Sequence, residues 1–308
     1  MSEASRLLLL RVLALGVTLL FGAIALRGML AAVRRGLVHK ELLQLFASPI
    51  AWFAIAASAL VNGFLFVALL ELYARTPNVP IVQIFFSSGF FWILQLALVP
   101  LITMRSFAAE RTAGTIEPLL TAPVRASEVV WGKFLGAFVL YLALWLPTVA
   151  LLGAALYYAS PPGFAASLWA LRSHGIVRAV PEALARIGAI LDFGPVLSAY
   201  LGTALLGAAW VAVGVLASAV SRTQIVAYIL AAVLLAGTYA LGELPALVPA
   251  DSPTLAPLRE ALSGLSLPAA FAEFSRGVID LRRVLLLLTT SGLALFFATR
   301  AVESERWR

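Results

Sequence analysis

Met104–Pro123, MRSFAAERTAGTIEPLLTAP, is a polar, charged interruption in a chain that is otherwise mostly hydrocarbon. Apolar runs of membrane-crossing length flank it, Phe85–Thr103 before and Phe134–Tyr158 after. The stretch is too charged to lie in lipid and too patterned for a slack connector. Thr115 can cap a short helix whose first turn holds Glu117 and Pro118, where an acidic side chain and a missing N–H are both tolerated. Leu119 and Leu120 give that helix an apolar tip. Ala122-Pro123 ends it, since the residue before a proline disfavours the helical region. Ser127 can cap the following helix, with Glu128 in its first turn. The expected product is a short rigid knob on two spans, its apolar end flanked by Glu110, Arg111, Glu117 and Arg125. Such a knob suits a pocket on a soluble partner and can transmit a rigid-body tilt. Spacing alone leaves an ordinary charged turn equally open.

Composition sets the surroundings. Hydrophobic residues make up 62% of the chain and charged residues 12%, with a mean hydropathy of +0.99. A soluble domain carries about 25% charged residues, so this chain cannot cover a water-facing surface. The apolar runs are continuous and near helix-spanning length, not the ~10-residue alternation of outer-membrane strands. An all-α integral membrane protein follows. The formal charge of +7 then sets orientation rather than nucleic-acid binding, for which there is no basic helix or aromatic platform. There are no cysteines, which excludes disulfides, thiolate metal sites and thiol catalysis. His39 and His174 lack ligand spacing, so no metal site is expected.

Outward from the loop, the chain reads as six spans. Ile50–Leu72 and Ile84–Thr103 precede the loop and Phe134–Tyr158 follows it; Gly194–Val220, Ile225–Leu244 and Val284–Thr299 complete the set. Residues 1–33 hold a further apolar stretch broken by Arg11 and Arg27, read as an uncleaved extra N-terminal helix. An interfacial helix and a cleaved leader ending at Ala23-Ile24-Ala25 are the other readings. Residues 34–308 form a single membrane domain. Within it, 34–47 is amphipathic: Leu37, Val38, Leu42, Leu45 and Phe46 fall near one face, and Arg34, Arg35, Lys40, Glu41 and Gln44 supply polarity. Such a helix lies in the headgroup plane, its basic residues favouring the anionic leaflet. A juxtamembrane extension of the first span is the plainer reading. Residues 159–192 and 245–283 are polar loops on the face opposite the 104–131 loop, and Phe271–Leu281 is a candidate to dip into the outer leaflet.

Lys and Arg near span ends set the orientation. With Arg34 inside, the inner set also holds Arg35, Lys40, Arg105, Arg111, Arg125, Lys133, Arg222, Arg300, Arg306 and Arg308. The outer set is smaller, and several of its members, such as Arg172 and Arg178, lie mid-loop. The 104–131 loop and the C-terminus are therefore expected in the cytoplasm of a multi-pass inner-membrane protein.

The run ITMRSFAAERTAGTIEPLLTAPVRASEVVWGKFLGAF, residues 102–138, resembles the signature of ABC type-2 permeases, the membrane subunits of ATP-binding-cassette transporters. The likeness continues through Leu191–Pro195, Tyr200–Gly202, Ser218–Ala227 and Phe274–Leu281, covering roughly Arg34 to the C-terminus, and is nearest to the gliding-motility and nitrous-oxide-reductase-maturation branch. The resemblance implies the ABC type-2 exporter fold, an interfacial elbow helix with Arg34, Arg35, Lys40, Leu42 and Phe46, and a coupling helix seated on a nucleotide-binding subunit. Glu110, Arg111, Gly114, Thr115, Glu117, Leu119, Leu120 and Pro123 are its coupling residues on this reading. Pro118 departs from the pattern and would shorten the helix, and the helix before Arg34 is not typical of the branch. The implied partners are an ATP-binding cassette subunit, a second permease copy, membrane lipid and an extracytoplasmic auxiliary protein. ATP and Mg²⁺ would sit on the cassette subunit.

The chain has no G-x-x-x-x-G-K-[ST] run, so no ATPase activity or cofactor is expected on it. Gly132-Lys133 lies at a span end, where Lys133 is expected to snorkel to the headgroups, and Gly132 and Gly136 form a small-residue pair open to close helix contact. The leading function is an ABC transporter permease. A permease-type complex driving an extracytoplasmic machine, as in gliding or metalloenzyme maturation, is the first alternative. An ion-coupled secondary transporter would need ionisable residues within spans, and the deep polar residues are the neutral Asn62, Gln95, Thr148 and Thr203. Asn62 and Gln95 are read as interhelical hydrogen-bond glue, with a place on a substrate path as the alternative. A membrane enzyme is disfavoured, because the acidic residues show no acid/base or metal spacing.

Overall fold

The apolar runs fold as helices whose ends fall where the sequence supplies local hydrogen-bonding partners. A computed structural model describes residues 27, 29–30, 33, 36–75, 81–115, 124–159, 193–247 and 256–305. The expectations for the extra helix over 1–33, for Arg34 and Arg35, for the loop 159–192 and for Glu117, Leu119, Leu120 and Pro123 lie outside the described residues, apart from isolated helical positions before Gly36. Every regular element among the described residues is helical. In chain order they are α1 (Leu37–Phe46), α2 (Pro49–Arg75), α3 (Ile81–Ser87), α4 (Gly89–Thr103), α5 (Ala108–Thr112), α6 (Ala126–Ala159), α7 (Phe193–Val220), α8 (Gln224–Leu247), α9 (Ala256–Leu265), α10 (Leu267–Ser275) and α11 (Leu281–Glu305).

Five of these carry stretches long and apolar enough to cross a bilayer: Pro49–Ala68, Ala126–Leu152, Gly194–Val220, Gln224–Pro245 and Leu281–Glu305. The sixth expected span, Ile84–Thr103, is divided. Ser88 takes an extended conformation, donates its hydroxyl to the Phe85 carbonyl at 2.8 Å and accepts from the Phe91 N–H at 3.3 Å. A serine that binds its own backbone offers the chain an alternative to helix. The resulting α4 has 15 residues, about 22 Å at 1.5 Å per residue, short of a ~30 Å hydrocarbon core.

α6 starts one residue earlier than its expected cap. Ser127 lies inside the first turn, while the Glu128 carboxylate reaches back to the Arg125 N–H at 3.1 Å. That is the acidic half of a capping box. The Pro-rich stretch 245–283 is likewise not a plain loop: α9 and α10 occupy much of it, and α10 buries Leu267, Ala270, Phe271, Phe274 and Ser275 in the bundle. Ser266 caps α10 by accepting from the Ala269 N–H at 3.0 Å.

α7 is the axis of the bundle. Two-thirds (67%) of its span is buried, against 17% for Gln224–Pro245. It packs against α11, α8, α10, α6 and α4. Two glycines permit the closest of these approaches: a Cβ at Gly207 would overlap the ring of Tyr141 on α6, and one at Gly214 would overlap the side chain of Thr103 on α4. α10 enters the core through Phe271, whose ring stacks on Phe91 with centroids 4.9 Å apart, and through Phe274, whose carbonyl accepts from the Ser198 hydroxyl at 2.6 Å.

Large apolar side chains such as Phe64, Leu197 and Ile225 are exposed on the outside of the bundle, the inverse of a soluble protein. With lipid there, helix association depends on close packing and interhelical hydrogen bonds rather than on expulsion of apolar surface from water. The deep polar residues serve that purpose. Gln95 donates to the Tyr141 hydroxyl at 2.8 Å, which donates to the Thr203 carbonyl at 3.0 Å, tying α4 to α6 and α7. Asn62 donates to Ser58 at 3.0 Å, which donates to the Leu144 carbonyl at 2.7 Å, tying α2 to α6. Such bonds contribute about 0.6 kcal/mol each on average; several in series fix helix register.

Candidate functional site at the loop-bearing end

α4 ends in a turn, Met104–Phe107, and the chain then forms the short helix α5. α5 closes on Gly114, whose φ of 69° lies in the left-handed region that favours glycine. The Thr115 N–H returns to the Glu110 carbonyl at 2.9 Å and the Gly114 N–H to the Arg111 carbonyl at 3.2 Å. Those two bonds make a Schellman motif. Gly114 therefore has a backbone reason to be glycine. Thr115 is the residue after that closure, its hydroxyl turned back toward the Glu110 carbonyl at 3.4 Å. Gly114 and Thr115 are exposed.

Glu110 and Arg111 face into the bundle. Arg111 is 11% exposed and its guanidinium spans the C-terminal end of α7. Nη1 donates to the Ser218 carbonyl at 3.1 Å and to the Ser221 carbonyl, and Nη2 donates to the Ala219 carbonyl. The last carbonyls of a helix have no intrahelical partner and carry the negative end of its dipole, so a guanidinium satisfies both demands together. Nη2 also pairs with the Glu305 carboxylate on α11 at 2.7 Å. Ser218 completes the joint from the other side. Its hydroxyl accepts from the Phe107 and Ala108 N–H groups at 3.0 and 3.2 Å and donates to the Met104 carbonyl at 3.0 Å. Those donors are the start of α5, which has no side-chain cap of its own.

Glu110 leads in another direction. Its Oε1 lies 2.7 Å from Lys133 Nζ, and the same ammonium lies 3.1 Å from Glu41 Oε1 on α1. Lys133 is 3% exposed and sits over the Phe107 ring, 5.2 Å from its centroid. The expectation that Lys133 snorkels to the headgroups is thus corrected: two carboxylates and an aromatic face hold it inside the protein. α1 reaches that position across the glycine pair. A Cβ at Gly132 would stand 3.2 Å from Leu37 Cβ, and one at Gly136 3.0 Å from Glu41 Cβ and 3.3 Å from Leu45 Cδ1. Leu37, Glu41 and Leu45 recur every four residues, so one face of α1 lies along α6. Leu42 is half-buried, Lys40 is exposed, and Phe46 packs edge-on against Trp52, whose indole N–H donates to the Phe46 carbonyl at 2.8 Å.

The result is one polar layer joining α1, α5, α6, α7 and α11. Sequence reading placed Glu110 and Arg111 beside the docking tip without their partners. It gives no role to Ser218 or Glu305, and reads Glu41 only as part of the polar face of the amphipathic helix. Ser218 falls within the Ser218–Ala227 stretch that resembles the permease family, and nothing in local spacing links it to a loop 110 residues earlier. Asn62 and Gln95 lie apart from this layer in the helix-packing network, where Asn62 Oδ1 is buried with no hydrogen-bond partner among the described residues. No group of three or more metal-ligating side chains occurs among the described residues.

Residues 85–256 match the family model described as ABC-2 family transporter protein, a stretch that runs from the last turn of α3 through α8 and includes the whole polar loop. No individually curated protein shows a significant match to the chain.

Proposed function

The chain belongs to the ABC-2 family of transporter proteins, a multi-pass membrane permease whose family implies an ATP-binding cassette partner, and from that premise we propose that its 104–131 loop receives the stroke of that partner and passes it to the spans. One observation carries this reading. Arg111 binds the loop to the end of the central helix α7 and to Glu305 on α11, while Glu110 binds it through Lys133 to α6 and the elbow α1. A displacement of the loop cannot be absorbed locally, because every anchor belongs to, or closes, a helix of the packed bundle. Gly114 and Thr115, exposed at the end of that anchored segment, are free to meet a partner.

On this reading ATP and Mg²⁺ belong to the cassette subunit and this chain has no ATPase activity. Two permease copies face each other in an inner membrane, with the loop and the C-terminus in the cytoplasm. α3 and α4 together make the sixth crossing, bent at Ser88. The buried residues among those described that carry a formal charge, Glu128 and Lys133, both sit at the loop-bearing end, which supports ATP-driven work over ion-coupled transport. The work is transport or force delivered across the membrane; the gliding and metalloenzyme-maturation branch remains part of the proposal, and neighbouring genes test it.

Two substitutions separate docking from transmission. Glu117→Arg should release the ATPase subunit in a pull-down while membrane insertion is kept. Arg111→Gln should keep the subunit bound yet lose permease-stimulated ATP hydrolysis, by roughly tenfold or more for a lost charge-assisted set. A purified complex without any ATPase subunit, or full stimulation in both variants, would remove the coupling role.

A further inference from the structure

A groove of about 1140 Å³ lies between α1, the start of α2, the end of α4, α5 and α6. It is amphipathic by construction. Lys40, Gln44, Ser48 and Arg105 line it from α1 and the turns, while Leu45, Ile50, Leu101, Ile102 and Leu140 line it from the helices. Lys133 and Leu140, both lining residues, are seven positions apart on α6, about 10 Å along the axis at 1.5 Å per residue. The groove therefore runs from the polar layer to hydrocarbon depth.

Its charge is unbalanced. Three cations line it, Lys40, Arg105 and Lys133, against two carboxylates, Glu41 and Glu110. Both carboxylates are engaged by Lys133. Lys40 and Arg105 have no carboxylate partner among the described residues. Arg105 is nonetheless held in place, with Nη1 donating to the Ser48 hydroxyl at 2.5 Å.

We propose that this groove binds an anionic phospholipid, its phosphate on Arg105 and Lys40 and one acyl chain along Leu45, Leu101 and Leu140. A free phosphate would satisfy the two cations and leave the apolar wall unfilled. A lipid supplies both parts, at the level where an amphipathic helix such as α1 lies. The bound lipid bridges α1 to the turn that bears Arg105 and leads into α5, so its headgroup charge acts on the same anchors that hold the loop. The proposal goes beyond the transport reading, which assigns only the leaflet.

The test uses the full chain purified in mild detergent, stripped of lipid and titrated with phosphatidylglycerol, phosphatidylcholine and inorganic phosphate, with bound species counted by native mass spectrometry. One phosphatidylglycerol per chain should be held roughly tenfold more tightly than phosphatidylcholine, the discrimination expected of charge-assisted bonds to a phosphate. Arg105→Gln and Lys40→Gln should each weaken it about three- to tenfold. Ala47→Trp fills the groove from an exposed lining position and breaks no side-chain bond, so it should block the lipid in a folded protein. Arg300→Gln, a cation of α11 already paired with Glu303, should change nothing. Equal retention of both lipids, displacement by phosphate alone, or unchanged binding in Arg105→Gln and Ala47→Trp would overturn the proposal. So would a groove that takes no lipid in the isolated chain and is covered only when the ATPase subunit binds. Because the isolated permease is measured, failure here is distinguishable from failure of the coupling tests.

Discussion

Lys133 places one ammonium between Glu41 and Glu110 at 3.1 and 2.7 Å, almost out of contact with water. A cation there is held by its two anions, and each anion is held by it. Removing the cation leaves two carboxylates facing one another in a poorly solvated layer. Breaking a buried pair in this way costs about 3–5 kcal/mol, far more than the same pair contributes relative to an apolar replacement. Lys133→Met is therefore expected to destabilise the chain by about 3 kcal/mol in a reversible denaturant titration in micelles. Adding Glu110→Gln should recover about 1–3 kcal/mol of that loss, the coupling expected of residues in one network. Additive losses in the double variant would show that the three groups do not act together. Sequence reading could see that Lys133 ends a span. It could not see Glu41, 92 residues upstream, and so assigned the ammonium to the headgroups.

At the scale of elements, α1 and α6 meet through the absence of side chains at Gly132 and Gly136. The glycine spacing was visible in the sequence, but its partner was not, because small residues admit any helix that arrives. The structure brings α1 there rather than another span. The chain has no cysteine of its own, so a cysteine pair reports this contact without background. Leu37→Cys with Gly132→Cys should form a disulfide under mild oxidation, since the two Cβ positions lie within reach of the ~3.5–4.5 Å that a disulfide needs. Leu43→Cys, exposed on the far side of α1, should not cross-link to the same partner. Equal yields would detach α1 from α6. Gly136→Leu should weaken the contact by about 1–3 kcal/mol through overpacking against Glu41 and Leu45. The divided span at Ser88 is the converse case: hydrophobicity predicted continuity, and one hydroxyl bonding its own backbone decided otherwise.

For the whole molecule, the polar layer at one end and the α9–α10 pair at the other make the bundle asymmetric. The proposed orientation puts Thr115 in the cytoplasm and Arg276, in the turn between α10 and α11, outside. An impermeant maleimide should label Arg276→Cys in intact cells and Thr115→Cys only after permeabilisation. Reversed labelling would invert the topology and end the coupling proposal.

Composition and the lengths of apolar runs by themselves determined a helical membrane protein, the approximate places of its crossings and the charged loop between two of them. Lipid leaves a backbone no other way to satisfy its polar groups, so a long apolar run suffices to specify a helix. The patterned loop, with the motifs that follow it, also carries the resemblance to the ABC type-2 permeases, a family that the match over residues 85–256 shows. Tertiary structure alone decided which way each polar side chain points and what it holds: Arg111 on the end of α7, Lys133 between two carboxylates, α1 on the glycines of α6, Phe271 in the core. In a bilayer the apolar faces of a helix are nearly interchangeable in energy, so sequence periodicity does not choose among them. The choice falls to close packing and to a few polar partners whose separation along the chain, 107 residues between Arg111 and Ser218, leaves no local trace.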